Sequence, residues 1–375
     1  MRVASVRAIP LRVTLDEPQR TGVATFTTLA TNLVEVRSDT GLVGYGESLA
    51  RYSPRVWAAI VEDLLAPLVI GADPFDTERL WMSMFRDLRS FSGHHRGMLV
   101  EGIAGIDIAL WDLKARAVGL PLYALLGGAT RTRLDAYASS VMQRDPAGMV
   151  ADAASLAEQG FRAIKVKVGV GVAEDAATLA AIRRAVGEQV ELMIDANGAY
   201  RAPEAIDLAR RVEHLRIAWF EEPVVADDLE GYQRIRAATS IPLAAGEAEF
   251  SRYGVRELLS RQVIDVLQPD VARAGGISET QKMIVLADAH HVRYAPHVGF
   301  SAAVCVAATL HLAAAAPNFW TYECIYTPNP LREHLAREPV GGPRQMVDGQ
   351  IPVPSGVGLG IELDPEVIRR FRVAC

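Results

Sequence analysis

The sequence predicts an α/β protein: a closed barrel of eight parallel strands alternating with helices, behind a smaller α+β capping unit. Three observations predict it. From Gly128 onward, short apolar runs alternate with amphipathic stretches, the order that makes strands pair in parallel. An acid or base stands where nearly every run stops: Lys165 and Lys167 in AIKVKV, Asp195 in ELMIDAN, Glu221 in IAWFEEP, Glu247 in IPLAAGE, Asp270 in VIDVLQPD, His297 in VRYAPH and Glu323 in FWTYE. The steps from 167 through 195, 221, 247, 270 and 297 to 323 are all between 23 and 28 residues, the length of one strand, one helix and two loops. In a parallel barrel such spacing aims every one of these side chains at the same end of one pocket.

Taken in order, the chain opens with three alternating patterns, VASVRAIPLRV, TNLVEVRS and LVGYGES, which read as an antiparallel sheet. The last two are joined by a turn at Asp39-Thr40-Gly41. Between the first two, 16–28 reads as a small-residue loop longer than a hairpin needs, and long loops in compact domains are often functional. Three helical patterns follow. The first starts at Pro54 with Ser53 as N-cap, the second near Asp76, and the third covers about 98–117 and stops at Gly119. In the third, Ile103, Ile106, Leu110 and Leu113 fall at helical spacing. The capping unit is therefore expected over 1–127 and the barrel over 128–340. Barrel strands are expected at 134–138, 163–168, 190–194, 217–220, 242–245, 263–267, 292–295 and 319–322. No eighth barrel helix is evident after Glu323, and the Gly- and Pro-rich tail over 341–375 is expected to return to the capping unit. An open doubly wound sheet is the rival fold, but it gathers ligands at one crevice rather than at the end of nearly every strand.

Composition narrows the function classes. Of 375 residues, 50% are hydrophobic and 22% charged, enough for a large core. The net charge of −6, with Lys and Arg scattered, argues against nucleic acid and anionic membranes as partners. Cys305, Cys324 and Cys375 have neither metal nor redox spacing, and their odd number argues against a disulfide framework, so a reducing cytoplasm is the expected location. The apolar run 301–316 contains His311 and is shorter than the ~20 residues a membrane span needs.

The chemistry lies in the ladder of strand ends. Asp195, Glu221 and Glu247 end three successive strands. Singly, each reads equally as a helix cap or a surface acid. Converging together, they repel one another and call for a divalent cation held by oxygen, most simply Mg²⁺. Glu222 is excluded as a ligand because adjacent strand residues face opposite ways. Lys165 and Lys167 are two apart and share a strand face, and apolar Ile164, Val166 and Val168 speak against a pair of surface lysines. Each ammonium, with the metal, disfavours charge on the other and lowers a lysine toward the near-neutral pKa of a general base. Asp270 and His297 end neighbouring strands, where the carboxylate can fix the imidazole's tautomer and raise its basicity. His94, His95, His290, His291 and His311 read as structural. Glu323 reads as a helix cap or, if protonated, as a donor to a developing oxyanion. Asn197 shares the face of Asp195 and can reach a substrate oxygen, while Arg20, in a stretch with few aromatics, suits a polar substrate.

In this order KVK, DAN, WFEEP, GE, QPD and PH resemble the enolase superfamily. The histidine with its aspartate partner resembles the mandelate racemase subgroup rather than the muconate cycloisomerase subgroup, which carries a lysine after the sixth strand. GIDIALWDLKA and PSGVGLGIE extend the resemblance over the whole chain. It implies an α+β capping domain, a modified (β/α)₇β barrel, and Mg²⁺ on Asp195, Glu221 and Glu247. It also implies Lys167 and the Asp270/His297 dyad on opposite faces of a substrate α-carbon, with Lys165 assisting and Glu323 opposite the carboxylate. WFEEPVV, FSRYG, GGISETQK and NPLREHLAREP are most similar to the acid-sugar branch, which includes galactarolactone cycloisomerases and sugar-acid dehydratases. VGFS after His297 departs from the Trp-Gly pair of that branch, a change that touches the pocket. The activity expected is Mg²⁺-dependent removal of an α-proton from a hydroxy-carboxylate or acid sugar, followed by loss of a β-oxygen. A racemase or epimerase of the mandelate type is the alternative, a non-catalytic sugar-acid binding protein a remote one. A symmetric homo-oligomer is implied by the family alone.

Overall fold

The structure, a computed structural model, describes residues 1–92 and 95–374, with backbone only at 87–92; His94 and Cys375 lie outside the described residues. β1 (Val3–Arg20), β2 (Thr25–Ser38) and β3 (Val43–Ser48) form the antiparallel sheet of the cap in that order. The expected loop over 16–28 is instead mostly strand. Gln19 pairs with Phe26 and Arg20 with Thr25, so only a tip at 21–24 remains, closed by the Thr21 N–H to the Ala24 carbonyl at 2.9 Å. A bulge between Thr14 and Gln19 absorbs the surplus residues of β1, and the run Thr25 to Thr28 is made of good strand formers.

The helix Pro54–Ala59 begins after Ser53, runs on through a π-helical turn, Ile60–Leu65, and is followed by Thr77–Ser92 and Met98–Val118. The last stops at Gly119, which takes the left-handed φ of 70° that this kind of helix end requires. It is buried on nearly every side, as an apolar-all-round helix must be. It lies directly on β3: a Cβ at Gly46 would sit 1.8 Å from the Gly105 carbonyl oxygen.

Eight parallel strands follow: β4 (Arg133–Val141), β5 (Ala163–Lys167), β6 (Glu191–Asp195), β7 (Ile217–Glu221), β8 (Leu243–Ala245), β9 (Val266–Leu267), β10 (Arg293–Tyr294) and β11 (Tyr322–Ile325). They are ordered β10-β9-β8-β7-β6-β5-β4-β11, and a parallel bridge from Tyr294 to Phe319, just before β11, curls the sheet round on itself. Strand alternation decides what faces inward. Ala163, Met193, Trp219, Ala244 and Val266 pack with Tyr137 in the barrel interior, while Ile164, Val166, Leu192, Ile194 and Phe220 belong to the shell packed with the helices. Two residues beyond that inner layer come Lys165, Asp195 and Glu221, so the packed interior is the floor of whatever lies at the strand ends. The tail adds β12 (Gln350–Pro352), antiparallel to β4, then meets the cap through bridges Pro121–Gly358 and Leu11–Arg372. Among the described residues no helix is long and apolar enough to cross a membrane.

Candidate active site

Parallel register places the ladder in one layer: Lys167 stands beside Asp195 and Asp195 beside Glu221. Glu247, Asp270 and His297 follow just past β8, β9 and β10, and Glu323 sits within β11. Among the described residues, Asp195, Glu221 and Glu247 offer ligand oxygens within 4.8 Å of one another. These three acids are 0%, 1% and 7% exposed, so their mutual repulsion is poorly screened. Lys165 Nζ donates to Glu221 at 2.7 Å and Glu323 at 3.0 Å and lies 3.5 Å from Asp195. Lys167 Nζ donates to Asp195 and, at 2.9 Å, to Asn197 Oδ1. Two ammoniums do not balance this many acids. Burial and the Asp195 charge push the Glu221 carboxyl up even though Lys165 touches it. A buried, all-oxygen, negatively charged set of this kind fits a hard divalent cation such as Mg²⁺.

His297 Nδ1 is 2.9 Å from Asp270 Oδ2. An ionised Asp270 only accepts, which assigns the imidazole proton to Nδ1 and leaves Nε2, 3.3 Å from Glu247, toward the cavity. Burial alone would lower this imidazole's pKa, but Glu247, Glu323 and Asp270 outweigh burial and raise it. Gly299 gives the ring its room, since a Cβ there would meet His297 Nε2 at 2.5 Å.

Two electrostatic expectations are corrected. Lys165 is not lowered by its neighbour: burial acts in that direction, yet Glu221 and Glu323 hold its ammonium well above the usual lysine range. Glu323 is not a protonated donor. It accepts from Ser139 Oγ at 2.7 Å, from Lys165, and from the Val298 and Gly299 N–H groups at 2.7 and 3.3 Å. Burial pushes this carboxyl up, but Lys165, His297 and those donors hold it well below the usual carboxylate range.

A cavity of 290 Å³ opens above the ladder, between the strand ends and the cap. Lys167, Asn197, Glu247, His297 and Glu323 line it. Arg20 does not: it is exposed, because alternation along β1 turns its neighbour Gln19 inward, and Gln19 and Thr21 line the cavity in its place. Glu222, set aside from sequence, also lines it, because its φ of 37° breaks the alternation at the end of β7. Sequence reading missed Gln268 and Trp219, which donate to Glu221 at 2.7 and 3.0 Å, although both belong to motifs already singled out, QPD and WFEEP. It also missed Arg51, which lines the wall near Glu247 at 3.7 Å. The VGFS departure puts Phe300 against Phe26 of the cap, ring centroids 4.4 Å apart.

A capped parallel barrel with acids and bases gathered at its strand C-termini around one cavity is the architecture of a barrel enzyme. Comparison with known proteins makes this specific. Residues 3–127 match the mandelate racemase / muconate lactonizing enzyme N-terminal domain, and 148–367 the enolase C-terminal domain-like family. The D-galactarolactone cycloisomerase of Agrobacterium fabrum is 40% identical over 100% of this chain and 99% of its own. The arabinonate dehydratase of Saccharolobus solfataricus is 33% identical over 90% of this chain and 89% of its own. A racemase from Streptomyces coelicolor, solved with bound magnesium, superposes with a TM-score of 0.90 at 27% identity, covering 99% of this chain and 100% of that one. The chain belongs to the enolase superfamily, in its mandelate racemase and muconate lactonizing enzyme family, and is a lyase or isomerase.

Proposed function

We propose that this enzyme removes the α-proton of a polyhydroxylated carboxylate with the help of Mg²⁺ and then expels a β-oxygen, as an acid-sugar dehydratase or an aldarolactone cycloisomerase. The observation that carries the reading is two separate bases in the wall of one cavity, Lys167 against Asp195 and His297 against Glu247. Bound to Asp195, Glu221 and Glu247, Mg²⁺ would supply positive charge to the substrate's carboxylate as that group gains electron density. One base, Lys167 as amine or His297 at Nε2, takes the α-proton, and the C–H electron pair moves into an enediolate. The Lys165 ammonium faces the charge that develops there. Glu323 orients that ammonium and, through the Val298 N–H, the turn that follows His297. The second base, protonated, gives its proton to the departing β-oxygen: a hydroxyl in a dehydratase, a lactone oxygen in a cycloisomerase. The Asp270 carboxylate steadies the imidazole through both roles.

The relatives' names support an acid-sugar substrate. Incubating the Mg²⁺-loaded enzyme with a library of acid sugars in D₂O is expected to give α-proton exchange and a keto acid. Lys167→Ala and His297→Asn should each lower that rate by about 10²–10⁴-fold, the usual worth of a positioned acid or base. If the wild-type enzyme neither exchanges the α-proton of any acid sugar nor forms a keto acid, the reading fails. Bases on two sides also suit racemisation, and exchange with inversion but no elimination would select that alternative.

A further inference from the structure

One carboxyl in the cavity has no part in the proposed mechanism. Glu222 lines the cavity and is 7% exposed, yet its Oε1 has no hydrogen-bond partner. Its backbone is held in the left-handed region, φ 37°, by its own N–H to the Ala244 carbonyl at 3.0 Å and by the Gly198 N–H to its carbonyl at 2.8 Å. That conformation costs energy for a residue with a Cβ, and it is what turns the side chain inward. Buried carboxyl oxygens are rarely left without a donor, so an unpaired one aimed into a cavity marks a contact that a ligand completes.

The surroundings define the ligand group. Asp195, Glu221 and Glu247 all face Glu222, which excludes an anion. Lys167, the nearby cation, is already engaged by Asp195 and Asn197. Glu222 does not belong to the set whose ligand oxygens converge within 4.8 Å, so a cation held by that set does not use it. What remains is a neutral donor, and a substrate hydroxyl is one. With the α-carbon between Lys167 and His297, a 290 Å³ cavity leaves room for a longer chain, and Glu222 stands beyond the cluster where that chain would run.

We propose that Glu222 is a specificity-determining residue that accepts a hydrogen bond from a substrate hydroxyl beyond the α-carbon, selecting polyhydroxylated carboxylates over simple α-hydroxy acids. This rests on the cavity being the substrate site, as in the proposed function. The test is calorimetric binding to the Mg²⁺-loaded wild type, Glu222→Ala and Glu222→Gln. The probes are D-galactonate and L-lactate, which shares only the carboxylate and α-hydroxyl. Glu222→Ala should bind D-galactonate about 10- to 100-fold more weakly, the range for a lost hydrogen bond to a charged group, with L-lactate unchanged. Glu222→Gln, which keeps a carbonyl acceptor, should recover most of the loss, and Mn²⁺ affinity should be the same in all three. Equal losses for both acids, no loss for D-galactonate, or a collapse of Mn²⁺ affinity in Glu222→Ala overturns the inference. So does wild type that fails to bind D-galactonate; α-proton exchange from another acid in D₂O would then leave the proposed first step standing.

Discussion

At the scale of single residues, charge balance decides what the cluster needs. Asp195, Glu221 and Glu247 are held together by the barrel whether or not a cation joins them, so a cation that binds only the folded chain must stabilise it. Saturation at about 100 times the dissociation constant is worth about 2.7 kcal/mol. We expect Mg²⁺ to raise the wild-type melting temperature by several degrees and to leave Asp195→Asn unmoved; equal shifts in both proteins would refute the assignment. Most of this site was legible because barrel residues two apart share a face: Ala163, Lys165 and Lys167, then Met193 and Asp195, then Trp219 and Glu221. Where that parity breaks, sequence misleads. The bulge in β1 decides that Gln19 rather than Arg20 faces in, and the φ of Glu222 is written in no neighbouring residue type. The ionised state of Glu323 was equally hidden, since it depends on N–H groups from a turn after another strand.

At the scale of elements, the helix Ala303–Ala315 shows how cap and barrel complete one another. Its N-cap residue is Ala302, which has no side-chain acceptor. Glu47, from β3 of the cap, takes that place: Oε1 accepts from the Ala302 N–H at 2.7 Å and Thr31 Oγ1 at 2.8 Å, and Oε2 accepts from the Cys305 N–H at 2.8 Å. The carboxyl is wholly buried, so its removal strands donors that water does not reach. Glu47→Ala should cost at least about 1.5–3 kcal/mol, the worth of hydrogen bonds to a charged group, read as a lower urea midpoint at unchanged slope. A midpoint equal to wild type would show that the helix caps itself in some other way. No local pattern announces this contact, because the acceptor and the helix are 255 residues apart. The arms of β1 and β2 escaped for a similar reason: the 16–28 segment is strand because each half pairs with the other, which composition alone does not reveal.

At the scale of the whole molecule, the cavity exists only where the cap meets the barrel, so whatever fixes the two together protects the site. The helix Met98–Val118 is one tie: Asp107 accepts from the Ser278 N–H at 2.9 Å and its hydroxyl at 2.6 Å, and Asp112 accepts from the Leu359 N–H of the tail at 2.8 Å. His311 is another. It lies fully buried in Ala303–Ala315, and its Nδ1 accepts from the Tyr123 N–H at 3.2 Å, in the short helix Leu122–Leu125 that ends the cap. Burial pushes the imidazole pKa down to about 4, from an ordinary value near 6.5 in the unfolded chain. The unfolded chain therefore binds the proton more readily between those values, and stability present above about pH 6.5 is lost as pH falls toward 4. The full loss from this one group is roughly 3 kcal/mol. His311→Asn keeps an acceptor near Nδ1 and has no proton to take up. Its urea midpoint should lie below that of wild type at pH 7.5, because the smaller side chain leaves space, and the gap should narrow or invert by pH 4.5. Parallel pH profiles for the two proteins would mean that His311 titrates no differently folded than unfolded, and that acid loosens the joint between cap and barrel elsewhere.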